Sequence, residues 1–288
     1  MQYHVNGELV RADEATVSVA DRGFKYGDAA FETLRAYGGT LFEWEAHLDR
    51  LRGTCETLGM PDAIPADLHE RVEATLEAND LGDAYVRVSI TRGIQPGALT
   101  PQPEVDPTVV VLVSELPRAG VEGEPQWDGP AVLRTVETRR NHPDAIPPGL
   151  KTHNYLNGIL ARLELRDEAG EAVADDALLL DTDGYVAEGT TANVFFVEDG
   201  VLHTPSLEGP ILPGVTRDVV LDLADDLGIP VETGRYRPPR IEASDELFLT
   251  NTTGEVWPVG NLDDHQFEVG PVTERLMGAY DELVEEFY

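Results

Sequence analysis

Lysine is rare in this chain, and one of its two lysines lies where a turn meets an apolar periodic run. The sequence contains only Lys25 and Lys151, and the other 19 of its 21 Lys and Arg residues are arginines. Lysine differs from arginine because its amine can lose a proton and attack a carbonyl. Lys151 follows Pro148-Gly149-Leu150 and precedes the predicted helix over 154–168, so it is a candidate nucleophile. The alternative is an ordinary surface lysine.

Two other stretches have the chemistry of an anion site. Gly214-Val215-Thr216 precedes an apolar periodic run, so its free amides and its hydroxyl would lie at a helix N-terminus, where anions are stabilised. Arg50, in a separate helical stretch, offers a rigid fork of donors that suits phosphate oxygens. Structural roles stay open for both, with Thr216 as a helix cap and Arg50 as an exposed helix arginine.

A series of motifs that covers nearly the whole chain resembles the class IV aminotransferases, the pyridoxal-phosphate enzymes of fold type IV. That family contains branched-chain and D-amino acid aminotransferases together with aminodeoxychorismate lyase. The resemblance implies a pyridoxal 5'-phosphate cofactor and a homodimer whose subunits share their active sites. The motifs span residues 21–28, 31–35, 47–51, 148–157, 185–196, 211–218 and 249–256.

The resemblance also implies a role for each cofactor-binding position. Lys151 would form a Schiff base with the cofactor and carry the proton during turnover. Glu188 would face the pyridine nitrogen and keep it protonated, although without the resemblance it is one more solvated glutamate. Tyr155 would hold the cofactor phenolate, and its alternative is an aromatic core residue. The remaining cofactor positions are Arg50, Thr191, Asn193, Leu212, Val215, Thr216 and Thr252.

The substrate positions implied by the resemblance lie mainly in the N-terminal half. Tyr85 and Arg87 point to one face of a predicted strand, and Arg87 is expected to carry most of the binding of the substrate carboxylate. Lys25 is expected to assist Arg87, and Arg92 is the candidate if Arg87 is structural. The full set is Lys25, Tyr26, Phe31, Arg35, Tyr85, Arg87, Arg92 and Thr253.

Two departures from the relatives leave the substrate open. Tyr155 follows Lys151 by four positions, as in the D-amino acid and lyase branches and not as in branched-chain enzymes. The Arg-x-His carboxylate trap of D-amino acid enzymes is replaced by Gly97 and Leu99. We therefore expect an aminotransferase that uses an amino acid and a 2-oxo acid such as 2-oxoglutarate or pyruvate. The alternatives are an aminodeoxychorismate lyase that forms 4-aminobenzoate and pyruvate, and a non-enzymatic pyridoxal-binding protein, against which the retained Lys151 argues.

Periodicity predicts an α+β protein of two domains. A small N-terminal α/β domain is expected over 1–117, a Pro- and Gly-rich linker over 118–130, and a larger domain with a mixed, barrel-like sheet over 131–288. The first domain is predicted to contain hairpins at 4–10 and 31–42, helices at 45–58 and 66–78, and strands at 84–92 and 108–113, the last buried on both faces. The second is predicted to contain strands at 131–138, 177–181, 192–197 and 246–250, and helices at 154–168, at 215–227 and from 272.

Charge and cysteine content exclude several classes of function. The 288 residues carry a formal net charge of −33, which argues against binding nucleic acid or an anionic membrane. Cys55 is the only cysteine, so neither a disulfide framework nor a cysteine metal site is expected. The apolar runs are shorter than a membrane span requires. We expect a cytoplasmic protein whose partners are small-molecule substrates and a second copy of the chain, with no bound metal.

The near absence of lysine beside 54 dispersed carboxylates is typical of a protein from a salt-rich cytosol. High salt screens the repulsion between surface carboxylates that otherwise destabilises the folded state. We therefore predict that added KCl raises the temperature of unfolding. A thermal melt that does not rise between low and molar KCl would contradict a halophilic source.

Overall fold

The computed structural model, which describes residues 1–97, 99–118 and 127–288, divides the chain into two units. The chain passes between the units more than once. The first division, after Glu124, falls inside the predicted linker, of which residues 119–126 lie outside the described residues. Unit 1 comprises Met1–Glu124, Leu150–Asn154 and Phe287–Tyr288, and unit 2 comprises Pro125–Gly149 and Tyr155–Glu286.

Unit 1 is built on an antiparallel sheet of six strands in the order β2-β1-β6-β5-β3-β4. Two helices pack against one face of this sheet and enclose an apolar core. The strands are β1 (Gln2–Val5), β2 (Glu8–Arg11), β3 (Ala29–Tyr37), β4 (Thr40–Leu41), β5 (Ala84–Thr91) and β6 (Val109–Glu115), and the helices are α1 (Arg22–Tyr26), α2 (Trp44–Thr57) and α3 (Leu68–Glu77).

The turn residues of unit 1 explain its two hairpins. Asn6 and Gly7 both have positive φ, of 50° and 95°, and so do Gly38 and Gly39, with 53° and 86°. Two consecutive residues with positive φ give the turn whose twist matches that of paired strands. Both predicted hairpins are present. The strand predicted over 108–113 is correct in position, but Val110 and Leu112 of β6 are only partly buried because α2 and α3 cover one face of the sheet alone.

Unit 2 is built on a mixed sheet of nine strands in the order β12-β11-β10-β13-β14-β7-β8-β9, with β15 paired to β14. Strand β7 is parallel to β8 and β14, and β9 also packs against β10 and β11, so the sheet curls back toward itself as the barrel-like prediction requires. The strands are β7 (Ala131–Arg139), β8 (Asp176–Leu180), β9 (Val186–Glu188), β10 (Asn193–Glu198), β11 (Val201–Pro205), β12 (Val231–Gly234), β13 (Glu246–Asn251), β14 (Glu255–Leu262) and β15 (His265–Gln266). The helices are α4 (Leu156–Leu163), α5 (Val215–Asp226), α6 (Pro238–Glu242) and α7 (Pro271–Glu285).

Helix α4 differs from the helix predicted over 154–168, since it is shorter and most of its apolar side chains face outward. Only Ala161, followed by Leu165 beyond the helix, packs into the core formed with β7 and β8. The outward side chains are 47–63% exposed and follow the spacing i, i+3, i+4, i+7, which places them on one side of the helix. We call them the α4 apolar face: Leu156, Ile159, Leu160 and Leu163.

The short segment Phe287–Tyr288 belongs to unit 1, although α7 before it belongs to unit 2. The Phe287 ring packs against Tyr37 and Phe42, and the Tyr288 hydroxyl donates to Asp83 at 2.6 Å. Within the described residues, no helix has both the length and the apolar character needed to cross a bilayer.

Candidate active site

Lys151 lies in an extended segment that pairs antiparallel with the beginning of β3. Lys151 O accepts a hydrogen bond from Phe31 N at 2.9 Å, and His153 N donates to Ala29 O at 3.1 Å. Strand β4 covers only the other end of β3, so the backbone groups of residues 29–31 are available for this pairing. The sequence predicted a helix over 154–168, just after Lys151. The helix begins instead at Leu156, with Tyr155 as its N-cap.

The pairing places Lys151 on the sheet face that is not covered by α2 and α3. Side chains of directly opposed residues project to the same face of a sheet. Lys151 is opposite Phe31, and along β3 and β5 Phe31 is opposite Ser89, and Arg35 is opposite Tyr85. We call this set the lysine face: Phe31, Arg35, Tyr85, Arg87, Ser89, Lys151 and His153. The structure therefore brings four of the predicted substrate residues onto the face that carries Lys151.

The ring of Phe31 lies at the centre of the lysine face. Lys151 Nζ is 4.7 Å from the ring centroid and Arg87 Cζ is 3.8 Å from it. Phe31 itself is 5% exposed, so its position is fixed by packing. Cations are attracted to the face of an aromatic ring, and this one ring therefore holds the Lys151 amine and the Arg87 guanidinium near each other.

Arg87 has no hydrogen bond or ion pair within the described ranges of the chain. It is partly buried on β5 and carries five N–H donors, which ordinarily find acceptors when they are removed from water. The protein has 54 carboxylates, and another partly buried arginine is paired with one of them, as Arg50 is with Glu32. A partly buried guanidinium without an acceptor favours the binding of an anion.

Two other arginines from the predicted substrate set have structural partners. Arg35 is fully buried on the lysine face, where it donates to Pro117 O at 2.6 Å. Arg92 is 4% exposed and binds Asp28 at 2.8 Å. Protein groups therefore orient both guanidinium groups, and the roles of Arg35 and Arg92 as substrate contacts stay predictions.

Lys25 and Tyr26 lie on the exposed helix α1 and contact each other, with Lys25 Nζ 5.0 Å from the ring of Tyr26. The Tyr26 hydroxyl donates to Gly97 O at 3.3 Å. The Asn154 side chain donates to Gly27 O at 3.0 Å, which connects the end of α1 to the segment that carries Lys151. These two predicted residues therefore lie near that segment, on helix α1 and not on the sheet.

Arg50 lies on the opposite, helix-covered face of the sheet. Its guanidinium makes two bonds of 2.7 Å to Glu32 of β3, and His47 lies 2.8 Å from the same carboxylate. Burial alone would raise the pKa of Glu32, but the hydrogen bonds from Arg50 and His47 outweigh burial and hold it at about 2. The sequence did not predict this pair, which fixes the orientation of Arg50.

Glu188 is the last residue of β9. It is 6% exposed, and its carboxylate accepts hydrogen bonds from Arg140 at 2.5 Å and from Leu212 N at 2.9 Å. Both partners favour the ionised form of the carboxylate. Sequence reasoning did not predict a role for Arg140. Nothing in the sequence around it, just after β7, indicates that it pairs with Glu188.

The start of α5 is joined to the same region of unit 2. Asn193 Nδ2 donates to Leu212 O at 3.0 Å, and a Cβ at Gly214 would overlap Asn193 Oδ1, so only glycine fits there. Thr216 is 4% exposed in the first turn of α5 and Val215 is also buried. Leu212 and Asn193 thus lie next to the start of α5, whose first amides are a favourable site for an anion.

The remaining predicted residues of unit 2 lie in turns. Thr191 is exposed just before β10, and Thr252 and Thr253 are partly buried in the turn after β13. Asn251 organises that turn, since its side-chain oxygen accepts hydrogen bonds from Thr253 N and Gly254 N. The turn follows β13, which pairs with β10. In that pairing Thr250 of β13 is opposite Asn193 of β10.

Comparison with known sequences and structures gives a consistent set of relatives. The sequence profile described as amino-transferase class IV matches residues 29–262. A provisionally named branched-chain-amino-acid aminotransferase of Methanocaldococcus jannaschii is 37% identical over 98% of this chain and 96% of its own length. The aminodeoxychorismate lyase of Bacillus subtilis is 31% identical over 96% of this chain and 92% of its own length.

Among solved structures, the branched-chain aminotransferase of the archaeon Thermoproteus uzoniensis with norvaline superposes with a TM-score of 0.88. The match covers all of this chain and 95% of that one, at 29% identity. A second solved branched-chain aminotransferase, complexed with N-(5'-phosphopyridoxyl)-L-glutamate, matches with a TM-score of 0.87 and 32% identity, over 100% of this chain and 95% of that one. The matches extend through both units.

The buried pair of Glu32 and Arg50 leads to a pH-dependent prediction. The pKa of Glu32 falls from its ordinary value of 4.5 to about 2 on folding, which corresponds to ~3 kcal/mol of free energy of unfolding. This contribution is fully present above pH ~4.5 and is lost as the pH falls toward ~2. Glu32→Gln should therefore lower the free energy of unfolding by at least ~3 kcal/mol at pH 7, since it also leaves Arg50 buried without its counter-charge.

The measurement is urea unfolding of wild type and variant at several pH values between 7 and 3. The difference between the two proteins should be largest at pH 7 and should shrink below pH ~4.5. Glu56→Gln, on the exposed side of α2, is the matched control and should change stability by less than ~0.5 kcal/mol. A difference that stays constant with pH would contradict an ionic role for Glu32.

Proposed function

Because the chain belongs to the class IV aminotransferase family, whose cofactor is pyridoxal 5'-phosphate, we propose that it moves amino groups between amino acids and 2-oxo acids. The relatives named as branched-chain aminotransferases support this reaction, and they include the enzyme of Salmonella typhimurium, at 32% identity over 96% of this chain. The proposed substrate is an amino acid, and assays with different amino acids would identify the side chain that the enzyme accepts.

The observation that carries the proposal is the shared contact of Lys151 and Arg87 with the Phe31 ring. In an amino acid the carboxylate is attached to the same carbon that must lose its proton. Arg87 has no acceptor within the described ranges, so it is suited to bind that carboxylate. The nearby Lys151 amine would then remove the proton from the carbon that carries the carboxylate. Arg87 is therefore our carboxylate anchor, as the sequence predicted.

The polar groups of unit 2 fit the chemistry of the cofactor. Gly214, which leaves no room for a Cβ, and the first turn of α5 with Thr216 would hold the phosphate. Glu188, which Arg140 and Leu212 N favour as an ionised carboxylate, would retain a proton on the pyridine nitrogen. We propose as the further cofactor contacts Arg50, Tyr155, Thr191, Asn193, Leu212, Val215 and Thr252. We propose as the further substrate contacts Lys25, Tyr26, Phe31, Arg35, Tyr85, Arg92 and Thr253.

Two residues would act during the reaction. Pyridoxal phosphate, when bound, withdraws electrons from the substrate carbon that is losing its proton. The neutral amine of Lys151 accepts that proton as a general base, and its ammonium form returns a proton later in the cycle. Phe31 limits the position of the amine and excludes water from one side of it.

The second candidate function is aminodeoxychorismate lyase, which the Bacillus subtilis relative favours. The two reactions differ in what they require. An aminotransferase needs a 2-oxo acid to complete its cycle, whereas the lyase releases pyruvate and 4-aminobenzoate without one. Absorbance changes of the purified holoenzyme with L-amino acids, D-amino acids and aminodeoxychorismate therefore separate them. Formation of 4-aminobenzoate without an added 2-oxo acid would replace the aminotransferase proposal with the lyase.

Lys151→Ala should reduce turnover by ~10⁴-fold or more, since it removes the covalent catalyst and the general base together. In the wild-type holoenzyme, borohydride should attach the cofactor to Lys151, and with two lysines in the chain a peptide map locates the adduct without ambiguity. Lys25→Arg is the labelling control and should leave the adduct on Lys151. Turnover within tenfold of wild type, or an adduct on Lys25, would remove Lys151 from the mechanism.

We also propose that a second copy of the chain covers the α4 apolar face. Its four side chains are 47–63% exposed, and a contiguous exposed apolar surface is typical of an association site. Two molecules of charge −33 repel each other through their carboxylates, so contact is favoured where the surface is uncharged. A homodimer through α4 satisfies both conditions.

Leu160→Glu should weaken the dimer by ~100-fold, because a carboxylate buried in an apolar contact costs ~3 kcal/mol. Light scattering over a range of protein concentrations measures the change. Leu207→Glu is the matched control, since Leu207 is 51% exposed but lies outside α4, and it should leave the dimer intact. A monomeric wild type, or a Leu160→Glu protein that associates normally, would exclude this interface.

A further inference from the structure

His153 is the titratable side chain of the lysine face for which the proposed mechanism has no use. It follows Lys151 by two positions in the extended segment, so both side chains project to the same face. Its Nε2 lies 3.1 Å from Ser89 Oγ, and its ring meets the edge of Phe31 with 5.7 Å between centroids. Phe31 thus contacts Lys151, Arg87 and His153 together.

The imidazole of His153 is neutral at physiological pH. Burial and the nearby Arg87 guanidinium lower its pKa to about 4, against the opposing effect of Asp21. The charged groups around it are Arg87 on β5, Asp21 at the N-cap of α1, and Lys151 in its own segment. A neutral side chain in this position adds hydrogen-bonding capacity next to Arg87 without adding charge.

Hydrogen-bond capacity remains on the imidazole after its contact with Ser89. A neutral imidazole has one N–H donor and one acceptor nitrogen. When the Ser89 hydroxyl donates to Nε2, the proton is on Nδ1, which has no hydrogen bond to the part of the chain that the structure describes. In that tautomer His153 accepts a hydrogen bond from Ser89 and can donate from Nδ1 to a ligand.

We propose that His153, oriented by Ser89, is a specificity-determining residue that donates a second hydrogen bond to the substrate carboxylate held by Arg87. This inference rests on the proposed function, since it requires an amino acid or a 2-oxo acid at the lysine face. A carboxylate accepts several hydrogen bonds at once, and two donors on separate elements define its orientation better than one. The pair selects substrates that carry a carboxylate over amines and amides that lack one.

The proposal has a spectroscopic consequence. The Arg87 charge disfavours protonation of His153, and a bound carboxylate offsets that charge and accepts a hydrogen bond from the ring. Binding should therefore raise the pKa of His153, which an NMR titration of its imidazole with and without a carboxylate detects. An unchanged imidazole titration on saturation would place the carboxylate away from His153.

The test compares two unreactive ligands of the same shape, 4-methylvaleric acid and its neutral amide, by calorimetry on the holoenzyme. His153→Leu should weaken binding of the acid by about tenfold, the effect of losing one hydrogen bond to a charged group, and leave the amide within about twofold. His153→Gln, which keeps a donor, should stay within about threefold of wild type for the acid. Ser89→Ala should weaken the acid less than His153→Leu does.

The outcomes separate this proposal from the proposed function. If Arg87→Leu abolishes binding of the acid and His153→Leu does not alter it, His153 has no part in recognition, while the carboxylate anchor stands. If His153→Leu weakens the acid and the amide equally, its role is to shape the pocket and the proposal is wrong. If neither variant affects the acid, the carboxylate does not bind at the lysine face, and the placement given under the proposed function fails as well.

Discussion

The position of Lys151 depends on two backbone hydrogen bonds at one edge of the unit 1 sheet. They join the segment that carries Lys151 to the beginning of β3, and they determine which face its side chain projects from. Because side chains alternate along a strand, a shift of one residue would turn the Lys151 amine toward the covered face and away from Phe31 and Arg87. The proximity of Lys151, Phe31 and Arg87 therefore depends on the register with which the Lys151 segment pairs with β3.

A second constraint is the distribution of positive charge in a strongly acidic protein. The chain has 54 carboxylates against 21 lysine and arginine residues, and several of its buried or partly buried arginines have an acidic partner. Arg50 is held by Glu32, Arg92 by Asp28 and Arg140 by Glu188, which makes these cations part of the structure. The sheet keeps Arg87 apart from carboxylates by surrounding it with aromatic and neutral polar groups. The Arg87 guanidinium thus stays available to bind an anion, although the molecule as a whole is strongly negative.

Local signals in the sequence predicted the elements well, and long-range pairings were beyond them. The hairpin turn at Asn6-Gly7 was predictable because positive φ at two successive residues restricts the residue types. The pairing of Lys151 with Phe31 was not, since neither segment carries information about a partner about 120 residues away. The exposure of Leu160 was missed because periodicity identifies an apolar side of a helix but not what covers that side. His153 could have been singled out only once the segment was known to be extended.

The discontinuity of unit 1 bears on the order in which a ribosome-bound chain can fold. The sheet from β1 to β6 is complete once the first 115 residues have emerged, yet Leu150–Asn154 and Phe287–Tyr288 also belong to this unit. Pairing with β3 closes a loop of about 120 residues, and the entropic cost of closing a loop grows only slowly with its length. The time at which this pairing forms is therefore set more by when the Lys151 segment is synthesised than by the length of the loop. Until then the edge of β3 at residues 29–31 lacks its partner, and an open strand edge can pair with the wrong chain. The pairing of the Lys151 segment with β3 is consequently a late step in folding. It also covers the strand edge at residues 29–31, which could otherwise aggregate.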